Sequence, residues 1–376
     1  MAALREGPEM ARASRMAGKG GKMAGFAKKV LRRAAGLPRG RQFLDYASNR
    51  VAFMVATRLR SERLPHPTSL MLEVTNLCQL KCVTCPREYA LGKEMAKGHM
   101  DLASAKRVVD ASHVYLDSIG LTGLGETLLY PHLIELVDHI RGRNRGIHIF
   151  ISTNAQQPEA PRIVDAIAGK INALQISIDG CGEVFEQVRR NSNWEKYLAN
   201  IKEIARLTGG RRARVKFNMV VLEANYHQMA DVIRLAKSLG VPEVYFNTMN
   251  LVANDWDVSY YGFYRGDDFR QALREAKTLG EKEGIIVGFD DITSPRSFRN
   301  CPFPWNHFYV TWNGFLVPCC AKPFPKEKHF GNVFESGLID CINAPDFRKF
   351  RRLSNEGTTP EFCRRCHIVT ELPRSG

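Results

Sequence analysis

Apolar and polar positions change their period along this chain. From residue 69 onward, short apolar runs recur at 70–74, 118–122, 147–152, 173–178, 215–221 and 244–246. Runs this short, rich in Val, Ile and Phe and bounded by polar residues, read as strands buried on both faces. Between them apolar residues return every three or four positions over 102–111, 133–141, 163–168, 194–207 and 229–239, the period of an amphipathic helix. A further helix at 267–283 and a short strand at 285–289 close the series. Six strand–helix alternations predict an α/β fold: a parallel sheet with right-handed crossovers that curls into a partial (β/α)6 TIM-like barrel. In such barrels the chemistry sits at the C-terminal ends of the strands.

Either side of this core the pattern differs. The first 25 residues, rich in Gly, Ala, Lys and Arg, read as a disordered tail. Residues 26–64 carry helical spacing, with Phe26, Val30 and Leu37 on one face opposite Lys28, Lys29, Arg32 and Arg33, then Phe43, Val51, Phe53, Met54 and Leu59 in a second segment. Pro65 and Pro67 end that stretch, and after Thr293 the strand–helix alternation gives way to dense Cys, Pro, Gly and Phe. The expected organisation is a basic, helical N-terminal extension (1–67), a barrel core (68–292) and a small cysteine-rich domain (293–376).

Composition narrows the classes. A chain of 376 residues with 44% hydrophobic and 25% charged residues is neither disordered nor fibrous. Of its net charge of +15, residues 1–65 hold +11, from 15 Lys/Arg against 4 Asp/Glu. No run approaches the ~18–20 apolar residues of a membrane span, and no signal-type apolar stretch follows the basic start. The expectation is a cytoplasmic protein whose ten cysteines are metal ligands or catalytic groups before they are disulfides. The basic helices could meet an anionic membrane surface, making the protein peripheral to it, or simply pack on the barrel. Because the basic residues sit in one tail and the body has no RNA-binding motif, the balance is against nucleic acid. An RNA-associated role stays as the alternative of another class.

Cys78, Cys82 and Cys85 form a Cys-x3-Cys-x2-Cys run directly after the first predicted strand. Three thiolates so spaced can hold three irons of a cubane and leave the fourth open. A tetrahedral zinc site would need a fourth ligand that neither His99 nor His113 is obviously placed to supply. With these cysteines the sequence resembles the radical S-adenosylmethionine (radical SAM) superfamily. Gly123-Leu124-Gly125-Glu126-Thr127 resembles its Gly-x-Gly-Glu-Pro motif, with Thr127 in place of Pro, and Ser152-Thr153-Asn154-Ala155 its Thr-Asn-Gly turn. Ser177-Ile178-Asp179-Gly180 is similar to its Ser-x-Asp-Gly segment, while Thr84 stands where many members have an aromatic residue. The resemblance implies that Cys78, Cys82 and Cys85 hold a SAM-binding [4Fe–4S] cluster. It also implies that Gly125, Glu126, Asn154, Ser177, Asp179 and Arg189 surround S-adenosyl-L-methionine, Glu126 facing its ammonium and Arg189 its carboxylate. Cys181 is expected on the catalytic face, as a buried cysteine or a hydrogen donor.

A second set comprises Cys301-Pro-Phe-Pro-Trp305, Asn313-Gly314, Pro318-Cys319-Cys320, Gly331-Asn332-Val333 and Cys363-Arg-Arg-Cys366. It resembles the SPASM extension of radical SAM enzymes. Asn313-Gly314 predicts a type I′ hairpin turn. The resemblance implies one auxiliary [4Fe–4S] cluster on Cys301, Cys319, Cys363 and Cys366, with Cys320 and Cys341 spare and either able to replace a ligand. A zinc knuckle on Cys319, Cys320, Cys363 and Cys366 is the rival; a c-type haem at Cys363–His367 would require export.

The function implied is a radical SAM oxidoreductase. It would cleave SAM reductively to a 5′-deoxyadenosyl radical, with a flavodoxin or ferredoxin as reductant, and oxidise or epimerise a small hydroxylated metabolite or sugar-type substrate. The alternative is a maturase acting on a ribosomal peptide. The aromatic and acidic loop 247–263 is expected either to contact substrate or, equally, to be a packed lid.

Overall fold

The structure, a computed structural model, describes residues 40–289 and 297–369; the predicted helical face at Phe26, Val30 and Leu37 lies outside the described residues. Helix α1 (Arg41–Arg58) precedes β1 (Ser69–Leu72), α2 (Ala90–Glu94), α3 (Leu102–Ser112), β2 (Ser118–Leu121), α4 (Leu133–Arg143), β3 (His148–Thr153), α5 (Ala160–Ala168) and β4 (Ala173–Ser177). Next come α6 (Gly182–Val188), α7 (Trp194–Thr208), β5 (Arg214–Val221), α8 (Met229–Ser238), β6 (Glu243–Thr248), α9 (Asp267–Glu283) and β7 (Ile286–Phe289). The C-terminal segment adds α10 (Phe303–Asn306), β8 (Tyr309–Val310), β9 (Leu316–Val317), α11 (Val333–Ser336), α12 (Leu338–Ile342) and α13 (Pro345–Glu356).

Side chains place the breaks between elements. Asp101 accepts from the Ser104 amide (2.9 Å) to start α3, Asn193 from the Lys196 amide (2.9 Å) to start α7, and Gly284 ends α9 at φ +71°. Leu70, Leu72, Ile119, Leu121, Ile149 and Ile151 are fully buried, as expected of strands covered on both faces.

One sheet holds every strand, in the order β7-β6-β5-β4-β3-β2-β1-β8-β9. Strands β1 to β7 pair in parallel with their sequence neighbours. With β7 and β9 at its two ends the barrel stays open, the partial TIM-like α/β architecture anticipated.

The cysteine-rich segment does not stand apart from this sheet. Its β8 runs parallel to β1, with Met71 opposite Tyr309 and Leu72 opposite Val310, and β9 turns back antiparallel. Strands of two residues carry no readable period, so the sequence pattern could not reveal the continuation. The hairpin between them also departs from the type I′ expectation. Gly314 alone is left-handed (φ +91°), its amide bonds to the Thr311 carbonyl at 2.9 Å, and Asn313 stays at negative φ. The Asn313 side chain is engaged with the Thr311 hydroxyl (2.8 Å), and Gly314 is where Asn332 and Phe334 press closest.

Candidate functional site

A cavity of about 270 Å³ lies within the curl of the sheet. Gln175 and Ser177 of β4, and Asn218 and Val220 of β5, reach it at alternate positions because successive strand side chains point to opposite faces. Its far wall comes from His307, Tyr309 and Cys320, so the C-terminal segment shares the site.

Cys78, Cys82 and Cys85 all line this cavity. Their loop is fixed by backbone bonds from Lys81 to the Arg190 carbonyl and from Val83 to the Val188 carbonyl, both 2.9 Å, and by the Tyr89 hydroxyl on the Val83 carbonyl at 2.6 Å. On the other side the Glu126 amide donates to the Leu77 carbonyl at 2.8 Å. A Cβ on Gly125 would sit 2.4 Å from the Thr75 oxygen and 2.6 Å from that of Leu77, so the motif glycine is what lets these two loops meet. Burial pushes the Cys82 thiol up to about 12 and Cys85 to about 11, with Cys78 raised for the same reason. These thiols therefore hold their protons until a metal displaces them.

The donor set fits an anionic iron–sulfur group with SAM beside it. Arg87 and Arg189 are buried next to the thiols, and Nε and Nη1 of Arg87 and Nε of Arg189 have no hydrogen-bond partner. Buried cationic donors left unused call for an anion. Asn154 adds an amide 3.4 Å from the Cys78 sulfur, a contact of the kind that tunes cluster potentials. Among the described residues no three His, Cys, Asp or Glu side chains converge on a point suited to a single metal ion. A cubane does not need them to, since each thiolate binds a separate corner.

All six residues implied as SAM contacts line the cavity. Glu126, buried and pushed upward by that burial, accepts from Leu128 N (3.0 Å) and Thr153 Oγ1 (2.7 Å) on one oxygen and from Asn154 N (2.6 Å) on the other. It thus ties the loops after β2 and β3 together at the cavity wall. Arg189 is not wholly open to a ligand carboxylate: its Nη1 is 2.7 Å from Asp179 Oδ2, both groups buried, while Asp179 Oδ1 accepts from the Val220 amide at 2.8 Å. Ala155 sits at φ +53°, in the left-handed position where the resembled turn has glycine.

Two expectations are corrected. Cys181 begins α6 outside the cavity lining, its amide held by Gln228 Oε1 at 2.7 Å. The aromatic loop after β6 does not line the cavity either. It packs on the C-terminal segment, Tyr261 donating to the Arg365 carbonyl at 2.9 Å while the Arg365 guanidinium bonds the Trp256 carbonyl. Aromatic rings in a long loop met a packing partner that sequence could not show.

Sequence reasoning passed over Glu73. Directly after β1 and wholly buried, it accepts from Leu124 N (2.9 Å), the Tyr309 hydroxyl (2.5 Å) and Trp312 N (3.4 Å), and burial pushes it up to about 7. The available signal was an acid inside the apolar run Leu70-Met71-Leu72-Glu73-Val74. His307, pushed down to about 3 by burial, accepts from the Cys320 amide through Nε2 at 3.2 Å and is neutral.

Cys301, Cys319, Cys363 and Cys366 line a second, much smaller space of about 20 Å³, walled by Phe298, Phe303 and Phe350. Burial raises the Cys319 thiol well above its usual range, and the nearby Cys320, Cys363, Cys366 and Cys301 add to it. Asn250 Nδ2 lies 3.5 Å from the Cys366 sulfur. Cys320 faces the large cavity instead, and Cys341 is packed beside Gly331 and lines neither space. Four thiols around one apolar space suit a cubane without needing the spare pair.

Fold and thiol groups define an iron–sulfur enzyme on an open α/β barrel. Two family models fix the class: the radical SAM superfamily matches residues 72–236 and the SPASM iron–sulfur cluster-binding domain matches residues 301–367, together more than half of the chain. The chain belongs to the radical SAM superfamily and carries a SPASM domain. With that membership come SAM, its [4Fe–4S] cluster and auxiliary iron–sulfur binding.

Among curated relatives, the antilisterial bacteriocin subtilosin biosynthesis protein AlbA of Bacillus subtilis is 23% identical over 87% of this chain and 70% of its own length. PqqA peptide cyclase of Xanthomonas oryzae is 24% identical over 80% of each. Streptococcus suis SuiB, solved with the precursor peptide SuiA, superposes with a TM-score of 0.64 at 16% identity, covering 86% of this chain and 74% of that one. At that identity the superposition speaks for the fold.

Proposed function

We propose that this radical SAM enzyme modifies a peptide, which displaces the small hydroxylated metabolite expected from sequence. The observation that carries the reading is likeness along 80% or more of the chain to a protein named for cyclising a peptide and to one named for making a bacteriocin. The cavity is compatible with it, being open and shared between barrel and C-terminal segment, so a side chain of a longer substrate can enter.

In this reading Cys78, Cys82 and Cys85 hold the SAM cluster, and Cys301, Cys319, Cys363 and Cys366 one auxiliary [4Fe–4S] cluster. When bound, SAM and its cluster supply a 5′-deoxyadenosyl radical for hydrogen abstraction. The chain's own groups orient and exclude water. Glu126 and Asn154 fix the cavity wall beside Cys78, while Asp179 holds Arg189 in the wall where it would meet SAM. A flavodoxin or ferredoxin supplies electrons.

The test is anaerobic reconstitution with reductant and SAM against short peptides encoded beside this chain's own gene. Mass spectrometry should find a peptide that has lost hydrogen atoms, or gained solvent deuterium at carbon. Every peptide unchanged, with 5′-deoxyadenosine released on adding a sugar-type metabolite, refutes the reading.

A further inference from the structure

Helix α1 is apolar on both sides. Its inner side buries Tyr46 and Phe53, and is pinned where Tyr46 and Arg50 reach Asp117 at 2.9 Å. Its outer side exposes Leu44, Val51, Met54, Val55 and Leu59, by 39% to 76%. Only one other large hydrophobic residue among those described, Ile286, is comparably exposed. The five recur at spacings of seven, three or four, so they form one stripe along the helix. An exposed apolar stripe of this kind marks a contact surface.

Charge indicates what covers it. The exposed residues of α1 include Arg41 and Arg58 and no acidic side chain. They belong to a 65-residue stretch of net +11, on a protein whose remaining 311 residues total only +4. An apolar stripe framed by cations matches the boundary between acyl chains and anionic headgroups. No helix among the described residues is long and apolar enough to cross a membrane. A surface-lying mode is what the stripe provides.

We infer that α1 docks this enzyme on an anionic lipid surface, lying in the interface plane. The docking also has a direction. Asp117 and Phe308, which α1 touches, immediately precede β2 and β8, so the helix lies at the N-terminal ends of the strands. The Cys78–Cys85 loop leaves the opposite end of β1.

The test uses the full-length, cluster-loaded protein and sedimentation with vesicles of phosphatidylcholine containing about one-third phosphatidylglycerol, against pure phosphatidylcholine. Binding should favour the anionic vesicles and fall about tenfold between roughly 0.05 and 0.5 M salt. Leu44→Gln/Val55→Gln should weaken it about tenfold or more, because two inserted aliphatic groups are lost. Iron content and SAM cleavage should stay at wild-type levels, since neither side chain touches the site. No binding to anionic vesicles, or equal binding to neutral ones, overturns the inference. A concentration-dependent dimer abolished by the double variant, without vesicle binding, overturns it in favour of a second copy. None of these readouts depends on the peptide assignment.

Discussion

Glu73 is a carboxyl that the fold holds near neutrality, and replacing it by Gln tests the geometry around it. Its folded value of about 7 stands above an ordinary 4.5 because burial disfavours the charge more than its three donors favour it. At ~1.4 kcal/mol per pH unit, that difference corresponds to about 3 kcal/mol. Between these values the folded protein binds the proton that the unfolded chain releases, so stability falls as pH rises. The loss begins near pH 4.5 and is complete above about pH 7. Glu73→Gln has no such proton. Its amide oxygen can still accept from Leu124 and Tyr309, and the bond it sacrifices, from Trp312, is the long one at 3.4 Å. Urea unfolding of anaerobic protein at about pH 5.5 to 8.5 should show the variant gaining on wild type by up to about 2 kcal/mol, levelling off at the alkaline end. A stability difference independent of pH would refute the burial argument for Glu73.

Gly125→Ala forces a methyl to within 2.4 Å of the Thr75 carbonyl, so the cysteine loop must shift; 5′-deoxyadenosine formation should fall about tenfold or more. A variant with wild-type turnover would mean the loops can separate freely. Cys319→Ser should remove about four irons per chain, whereas Cys320→Ser should leave iron content intact and Cys320 should be alkylated in wild type less readily when SAM is bound. Equal iron loss in both variants would show that the lining of the two spaces does not identify the ligands. Asp179→Asn leaves the buried Arg189 without its charge partner, so the KM for SAM should rise about tenfold with the clusters retained. An unchanged KM would remove that pair from SAM binding.

Much of this was legible in sequence because parallel strands and their covering helices have distinct periods. The run at 215–221 corresponds to β5 at Arg214–Val221, and the helix expected over 267–283 is α9. The motif glycine was legible because close backbone contact demands it, as at Gly125, and the cysteine triplet because cluster ligation demands thiolates at that spacing. What escaped were contacts between distant segments. Neither the Tyr309 hydroxyl on Glu73 nor the Arg365 guanidinium on the Trp256 carbonyl leaves a local pattern. The roles of adjacent cysteines were equally hidden. Cys319 and Cys320 are neighbours in sequence, yet they face different spaces, because side chains of successive residues diverge along a chain.

The join between barrel and C-terminal segment runs through the sheet itself. Strand β8 is hydrogen-bonded to β1, which leads directly into the cysteine loop, and Glu73 bridges the same two segments through Tyr309 and Trp312. Behind them Arg351 is fully buried, donating at 2.8 Å to the carbonyls of Glu62, Pro304 and Ile342 and stacking 4.1 Å from the Phe347 ring. Arg60 likewise stacks 4.1 Å from the Trp305 ring and bonds Asn355 and Ser354. Opening a gap between barrel and C-terminal segment would break this sheet pairing and leave the buried Glu73 without its Tyr309 and Trp312 donors. The loop of Cys78, Cys82 and Cys85 and the C-terminal segment are therefore joined through one continuous sheet.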